Sequence, residues 1–135
     1  MQNEDLSALR KKISGLMSYR KEVIDKVLHT RTFIAAQVYD RQIKCGKPNC
    51  KCANGELHGP FMWIYQKKKG RKVVSTTVTE DKVTEAKELA ARYELLLKQR
   101  QKVRETDQKI NELLNEFESL LEKEIDDYVG KKSRT

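Results

Sequence analysis

The residues best suited to chemistry are the three cysteines, which all fall in the run Cys45-Gly46-Lys47-Pro48-Asn49-Cys50-Lys51-Cys52-Ala53-Asn54-Gly55-Glu56-Leu57-His58-Gly59-Pro60. Their spacing is Cys-x4-Cys-x-Cys-x5-His, and three thiolates with one imidazole are a common four-coordinate set for structural Zn²⁺. Bonds of about 2.3 Å to sulfur and about 2.1 Å to nitrogen need a chain that reverses on itself. Gly46, Pro48, Gly55, Gly59 and Pro60 permit that reversal. Cys50 and Cys52 would point to opposite sides of a straight strand, so a turn at Lys51 is required. The expected ligands are Cys45, Cys50, Cys52 and His58, with Glu56 as an alternative to His58. Competing readings are three unbound thiols in an open loop, or an iron–sulfur cluster. His29, the other histidine, reads as a partner of a helix C-terminus rather than a ligand.

Four protein ligands leave no open position for water, so the expected role of Zn²⁺ is structural and no enzyme is expected. The His-x-Glu and Pro-Cys-x-x-Cys pair of zinc deaminases is absent. So are a Gly-rich phosphate loop, a nucleophile elbow and a paired-carboxylate spacing. The acidic residues Glu116, Glu118, Glu122 and Glu124 sit in a helical repeat, where a solvated face is the ordinary explanation, and Asp126-Asp127 read as part of a tail. An odd number of cysteines cannot all pair within one chain, and MQNEDLSALRKK lacks a hydrophobic export segment. The expectation is a cytoplasmic chain with reduced thiols and no membrane contact.

Three elements must position the cysteine run. The chain has 135 residues, 36% of them charged, and a net charge of +8. Residues 1–30 carry six basic and four acidic groups, 31–80 carry ten and three, and 81–135 carry twelve and thirteen. Nearly all the excess charge therefore belongs to the middle, which also holds both prolines and four of the six glycines. The expected class is α+β: an amphipathic helix in 1–30, a basic zinc-binding β module in 31–80, a long heptad helix in 81–128 and a flexible basic tail in 129–135.

In the first segment Leu6, Leu9, Ile13, Leu16, Arg20, Val23 and Val27 form one helical stripe, interrupted by Arg20 and widened by Met17, Ile24 and Leu28. Gly15 suggests a close helix crossing or a kink. In the last, Thr79 or Thr84 is the expected cap. Leu89, Tyr93, Leu96, Arg100, Val103, Asp107, Ile110, Leu114, Phe117 and Leu121 continue a three-four alternation with two polar interruptions. A single helix over 81–128 would be about 72 Å long, against about 36 Å across a compact chain of this size. It must break near Gln99–Gln108, pair with residues 6–28 over half its length, or meet another chain. The last reading, a homodimer through the C-terminal helix, is preferred.

Gln37–Lys44, Phe61–Gln66 and Lys72–Thr79 read as three short antiparallel strands, the last two joined by Lys67-Lys68-Lys69-Gly70. Phe61, Trp63 and Tyr65 fall on one face of their strand and read first as core, second as a base-stacking platform. Lys67, Lys68, Lys69, Arg71 and Lys72 crowd the hairpin tip, with Arg41, Lys44 and Lys47 as an extension. Clustered cations of this kind are the footprint of a nucleic-acid-binding surface, and a β-ribbon fits the major groove of duplex DNA. Thr76 and Thr77 are available for further contacts, and the competing reading of the tip is a solvated turn whose charges deter edge aggregation.

The run Cys-Gly-Lys-Pro-Asn-Cys-Lys-Cys-Ala, followed by His58-Gly59-Pro60-Phe61, an aromatic strand, a Lys/Gly turn, a Val/Thr strand and a long helix, resembles an uncharacterised family of small bacterial and archaeal proteins. The resemblance covers about residues 35–100. It implies a metal module and an association with mobile elements, and brings no established activity. The function expected from the whole chain is a zinc-stabilised, DNA-binding accessory or regulatory protein. The alternative is a coiled-coil adaptor that displays a zinc knuckle to a recombinase or phage protein. A metal-dependent enzyme is a third reading and would need an open metal position.

Overall fold

The computed structural model describes residues 2–43, 55, 58–67 and 73–130. The elements are helix α1 (Gln2–Leu28), strands β1 (Gln37–Ile43), β2 (His58–Lys67) and β3 (Val73–Thr77), and helix α2 (Val83–Leu121), with 3₁₀ turns at Glu80–Lys82 and Ile125–Asp127. The class is α+β, with one antiparallel sheet in the order β1-β2-β3. Among the described residues no helix is long and apolar enough to cross a membrane. The chain divides into two compact units, one of residues 1–28 with 99–135 and one of residues 29–98.

The first unit is an antiparallel pair of helices: the Arg10 guanidinium lies 5.5 Å from the Phe117 ring centre, and Arg20 meets Asp107 at 2.5 Å. On α1 the buried residues are Leu6, Leu9 and Val23, with Ile13, Leu16, Ile24 and Val27 half-buried. Met17 and Leu28 are exposed, so the stripe is narrower than expected. Gly15 is exposed, a Cβ there would meet nothing within 4 Å, and α1 runs through it. It marks neither a close crossing nor a break.

On α2 the covered row in this unit is Val103, Thr106, Ile110, Leu113, Phe117 and Leu120, with Thr106 fully buried. The expected row shifts by one position at three places, since Asp107, Leu114 and Leu121 are exposed. Thr106 is tolerated there because its hydroxyl donates to the Lys102 carbonyl at 2.7 Å, leaving its methyl to pack. The polar stretch 99–108 does not break the helix. Gln101 donates to Glu105, Arg104 to Gln101 and Gln108 to Glu112, side-chain pairs at helical spacing that favour continuation.

In the second unit the segment before β1 is strapped to the first half of α2. Arg92 donates to the Thr32 carbonyl at 3.1 Å, the Ile34 amide to the Leu89 carbonyl at 3.3 Å, and the Phe33 and Tyr93 rings stack at 5.3 Å. Gln66 ties β2 to this strap through the Ala35 carbonyl. Among the described residues of the unit, the fully buried ones are Ala36, Ala86 and Ala90, all small. Thr79 takes the cap position of the 3₁₀ turn with its carbonyl accepting from Lys82, but its side chain makes no capping bond, and Thr84 lies inside α2.

The strands lie close to their expected places, and β2 is longer by His58, Gly59 and Pro60 at its start and by Lys67 at its end. The register passes from Arg41↔Phe61 to Ile43↔His58, which sets Gly59 and Pro60 opposite the single residue Gln42. This is a β-bulge, a position that accepts a glycine and a residue without an amide hydrogen. Gly59 and Pro60 are thus part of a strand and not of a reversal. Gly55, at φ +100°, does take the left-handed conformation that favours glycine.

Candidate nucleic-acid interface

Cross-strand partners share a face of a sheet, so the register sorts the strands into two sets. One face carries Val38, Met62, Ile64 and Gln66, all half-buried, together with exposed Asp40 and Thr76. The other carries Tyr39, Trp63 and Thr77 in one row, Gln37, Tyr65 and Ser75 in the next, and Arg41 with Phe61 in the third. On this second face Phe61 is 41% and Tyr39 37% exposed, Arg41 is exposed, and Trp63 and Tyr65 are half-buried. The aromatic strand therefore does not supply a closed core.

Its side chains lie across the sheet. The Tyr39 hydroxyl, from β1, reaches within 3.4 Å of the Ser75 hydroxyl on β3. Arg41 leans diagonally back along β2, its guanidinium carbon 4.9 Å from the Trp63 ring centre. That separation is within the range of a cation–π contact. The Trp63 indole N–H is buried and has no acceptor among the described residues, which is unusual for a buried donor. The result is an open surface of flat rings with a planar cation layered on one of them.

The register also fixes what lies at each end. Ile43 pairs with His58, so the connection of residues 44–57 leaves and re-enters the sheet at one end of β2. Lys67 pairs with Val73, so the connection of residues 68–72 belongs to the other end. A ten-residue strand spans about 30 Å, so the two connections start from well-separated places. Cys45, Cys50, Cys52 and Glu56 lie outside the described residues, as do Lys44, Lys47, Lys68, Lys69, Arg71 and Lys72. Of the expected metal ligands only His58 is placed, as the first residue of β2. Among the described residues no group of three or more potential ligands is positioned to hold a metal. Lys67 closes β2, and Thr76 and Thr77 fall on opposite faces of β3, Thr77 on the aromatic one.

Sequence reasoning missed the openness of the aromatic face and the part played by Tyr39. The signal was present: Tyr39 and Arg41 alternate in β1 as Phe61, Trp63 and Tyr65 do in β2. Setting the two strands in register puts all five on one surface.

Residues 3–91 match the family described as the DUF6788 domain of unknown function, and the chain belongs to that family. The match begins in α1, well before the Cys/His run, and ends within α2, before the stretch against which α1 packs. No curated protein and no solved structure matches the chain.

Proposed function

We propose that this member of the DUF6788 family is a small nucleic-acid-binding accessory protein acting through its basic β module. The observation that supports this reading best is the coincidence of an open sheet face bearing Arg41 with the segment that holds the chain's charge excess, ten basic residues against three acidic in 31–80. The β2–β3 connection contributes Lys68, Lys69, Arg71 and Lys72 by sequence, directly after Lys67, and cations so grouped neutralise phosphates. Lys44 and Lys47 lie in the other connection.

In this reading a structural Zn²⁺ is held by Cys45, Cys50, Cys52 and His58. The donor set is chemically apt, and the Ile43↔His58 pairing brings together the two ends of the segment that carries it. The zinc would close the loop and take no part in chemistry. The setting implied by the Cys/His run, a mobile element, is part of the same proposal.

Salt-titrated binding to duplex DNA, to single strands and to RNA tests the reading. The logarithm of affinity should fall linearly with the logarithm of salt, and replacing Lys67, Lys68 and Lys69 by alanine should weaken binding and flatten the slope. Affinity indifferent to salt and to these substitutions would refute it. A second reading, a protein–protein adaptor, is favoured by the apolar residues left exposed around the end of α2: Leu114, Leu121, Ile125, Tyr128 and Val129. Leu114 and Leu121 stand one heptad apart, as a homodimer through this helix would require. Purification with a tightly held protein and only weak nucleic-acid affinity would favour the adaptor.

A further inference from the structure

We infer that the open face of the sheet is a stacking platform for the bases of single-stranded nucleic acid, DNA or RNA. This rests on the nucleic-acid reading above and names its substrate class. Three features carry it. First, Phe61 and Tyr39 leave about two-fifths of their surface exposed in strands where large aromatic residues ordinarily seek burial. Second, these rings lie on one face with Trp63 and Tyr65, and the paired strand residues of that face include no aspartate or glutamate, whereas Asp40 falls on the other; the carboxylates beside it, Glu94 and Glu80, come from outside the sheet. Third, Arg41 is layered on Trp63, so a planar cation already occupies the position of a stacked group, with N–H donors suited to a phosphate or a base edge.

The geometry selects single strands over duplex. In a duplex the faces of the bases are occupied by their neighbours, and what remains for a protein is phosphate and groove edges. Flat rings on a sheet face gain little from either. Unstacked bases, by contrast, each offer an aromatic face, and stacking of this kind is tolerant of sequence. By sequence, Lys44 and Lys47 follow β1 and Lys68, Lys69, Arg71 and Lys72 follow β2, cations available to the phosphates of a bound strand.

Trp63 is the sole tryptophan of the chain, which gives a direct optical test. The intact protein is titrated with a twelve-nucleotide oligo(dT), the matching oligo(U), and a duplex of equal length, following tryptophan emission. Saturable quenching by the single strands, with the duplex bound more weakly and without quenching, is the expected result. A preference between the two oligonucleotides identifies DNA or RNA as the source. Phe61→Leu and Tyr39→Leu keep apolar bulk but lose the ring, and each should weaken single-strand binding about tenfold with the far-ultraviolet spectrum unchanged. Replacing Lys68 and Lys69 by alanine should weaken single-strand and duplex binding alike and leave the quench at saturation intact. Duplex binding as tight as single-strand binding, with tryptophan emission unmoved, would overturn the platform and leave the basic-hairpin reading standing. Failure to bind any of the three would overturn both.

Discussion

The helical pair and the sheet unit solve the same problem, a small amount of apolar surface, in opposite ways. In the helical pair Leu6, Leu9 and Val23 are buried and charged residues lie outside. Among the described residues of the sheet unit the buried positions are the alanines 36, 86 and 90, while Phe33, Tyr39 and Phe61 remain exposed. Burial contributes roughly 25 cal/mol per Å² of apolar surface, so a core of alanines stabilises far less than one of leucines and valine. The sheet unit leaves Phe33, Tyr39 and Phe61 at the surface, available to a ligand, and holds Met62, Trp63 and Ile64 only half-buried, so staples carry more of its stability than in the helical pair. The strap of Thr32, Phe33 and Ile34 against α2 is one such staple. A metal closing the 44–57 connection would be another, and small units with thin cores commonly need one.

The largest effect should come from removing that metal. Structural zinc sites contribute on the order of 10 kcal/mol of apparent binding free energy at neutral pH, and with the proposed ligands that would be folding free energy for the sheet. Chelation, or Cys50→Ser, is expected to abolish amide-exchange protection across residues 37–43, 58–67 and 73–77, while α1 and the 99–121 stretch of α2 keep theirs. Elemental analysis of protein purified without added zinc should give about one Zn per chain. Metal-free protein with a fully protected sheet would remove zinc from the account and leave the strap as the main staple.

A smaller but sharper contrast comes from trimming one side chain in each unit. Leu9, only 4% exposed, should cost about 2–5 kcal/mol when replaced by alanine, through lost transfer energy and the cavity left behind. Phe61→Leu, on the open face, should change stability by less than about 1 kcal/mol. Chemical denaturation of the two variants measures both. If the Phe61 variant proved as damaging as the Leu9 variant, the aromatic face would be serving as core in solution, and the contrast between the units would fail.

Much of this organisation was legible in the sequence, for identifiable reasons. The strands announced themselves through β-branched and aromatic residues bounded by glycine, proline and lysine turns, and the helices through three-four spacing. Three things were not legible. Burial of the aromatic strand depends on what covers it, and alternation identifies a face without saying which one is covered. The position of Leu114 against Leu113 is a difference of one residue on a helix rich in leucine, and only a partner helix decides between them. Gly59-Pro60 carries the composition of a turn, but opposite Gln42 it forms a bulge, because β3 pairs only from Trp63 onward and leaves that side of β2 without a neighbour needing the missing amide.

The smallest effect concerns a pair of residues that each looked like a flaw. Arg20 interrupts the stripe of α1 and Asp107 interrupts the expected seam of α2, yet the antiparallel pairing sets them against each other, with the Arg20 Nε donating to an Asp107 carboxylate oxygen. Their side chains are 42% and 48% exposed, so water and salt screen the attraction and a double-mutant cycle should give a coupling of only about 0.2–1 kcal/mol, shrinking as salt rises. The pair matters more for alignment than for strength. A helix slipped by one turn would set Arg20 opposite a different residue of α2 and leave Asp107 without its cation. Arg20→Leu is therefore expected to leave stability within about 1 kcal/mol while loosening the register, read as weaker amide protection around residues 103–110 at unchanged helix content. If protection there were unchanged and the coupling zero, apolar packing of Leu9, Val23 and Phe117 alone would set the register, and the helical unit would be specified by burial as completely as the sheet unit is by its staples.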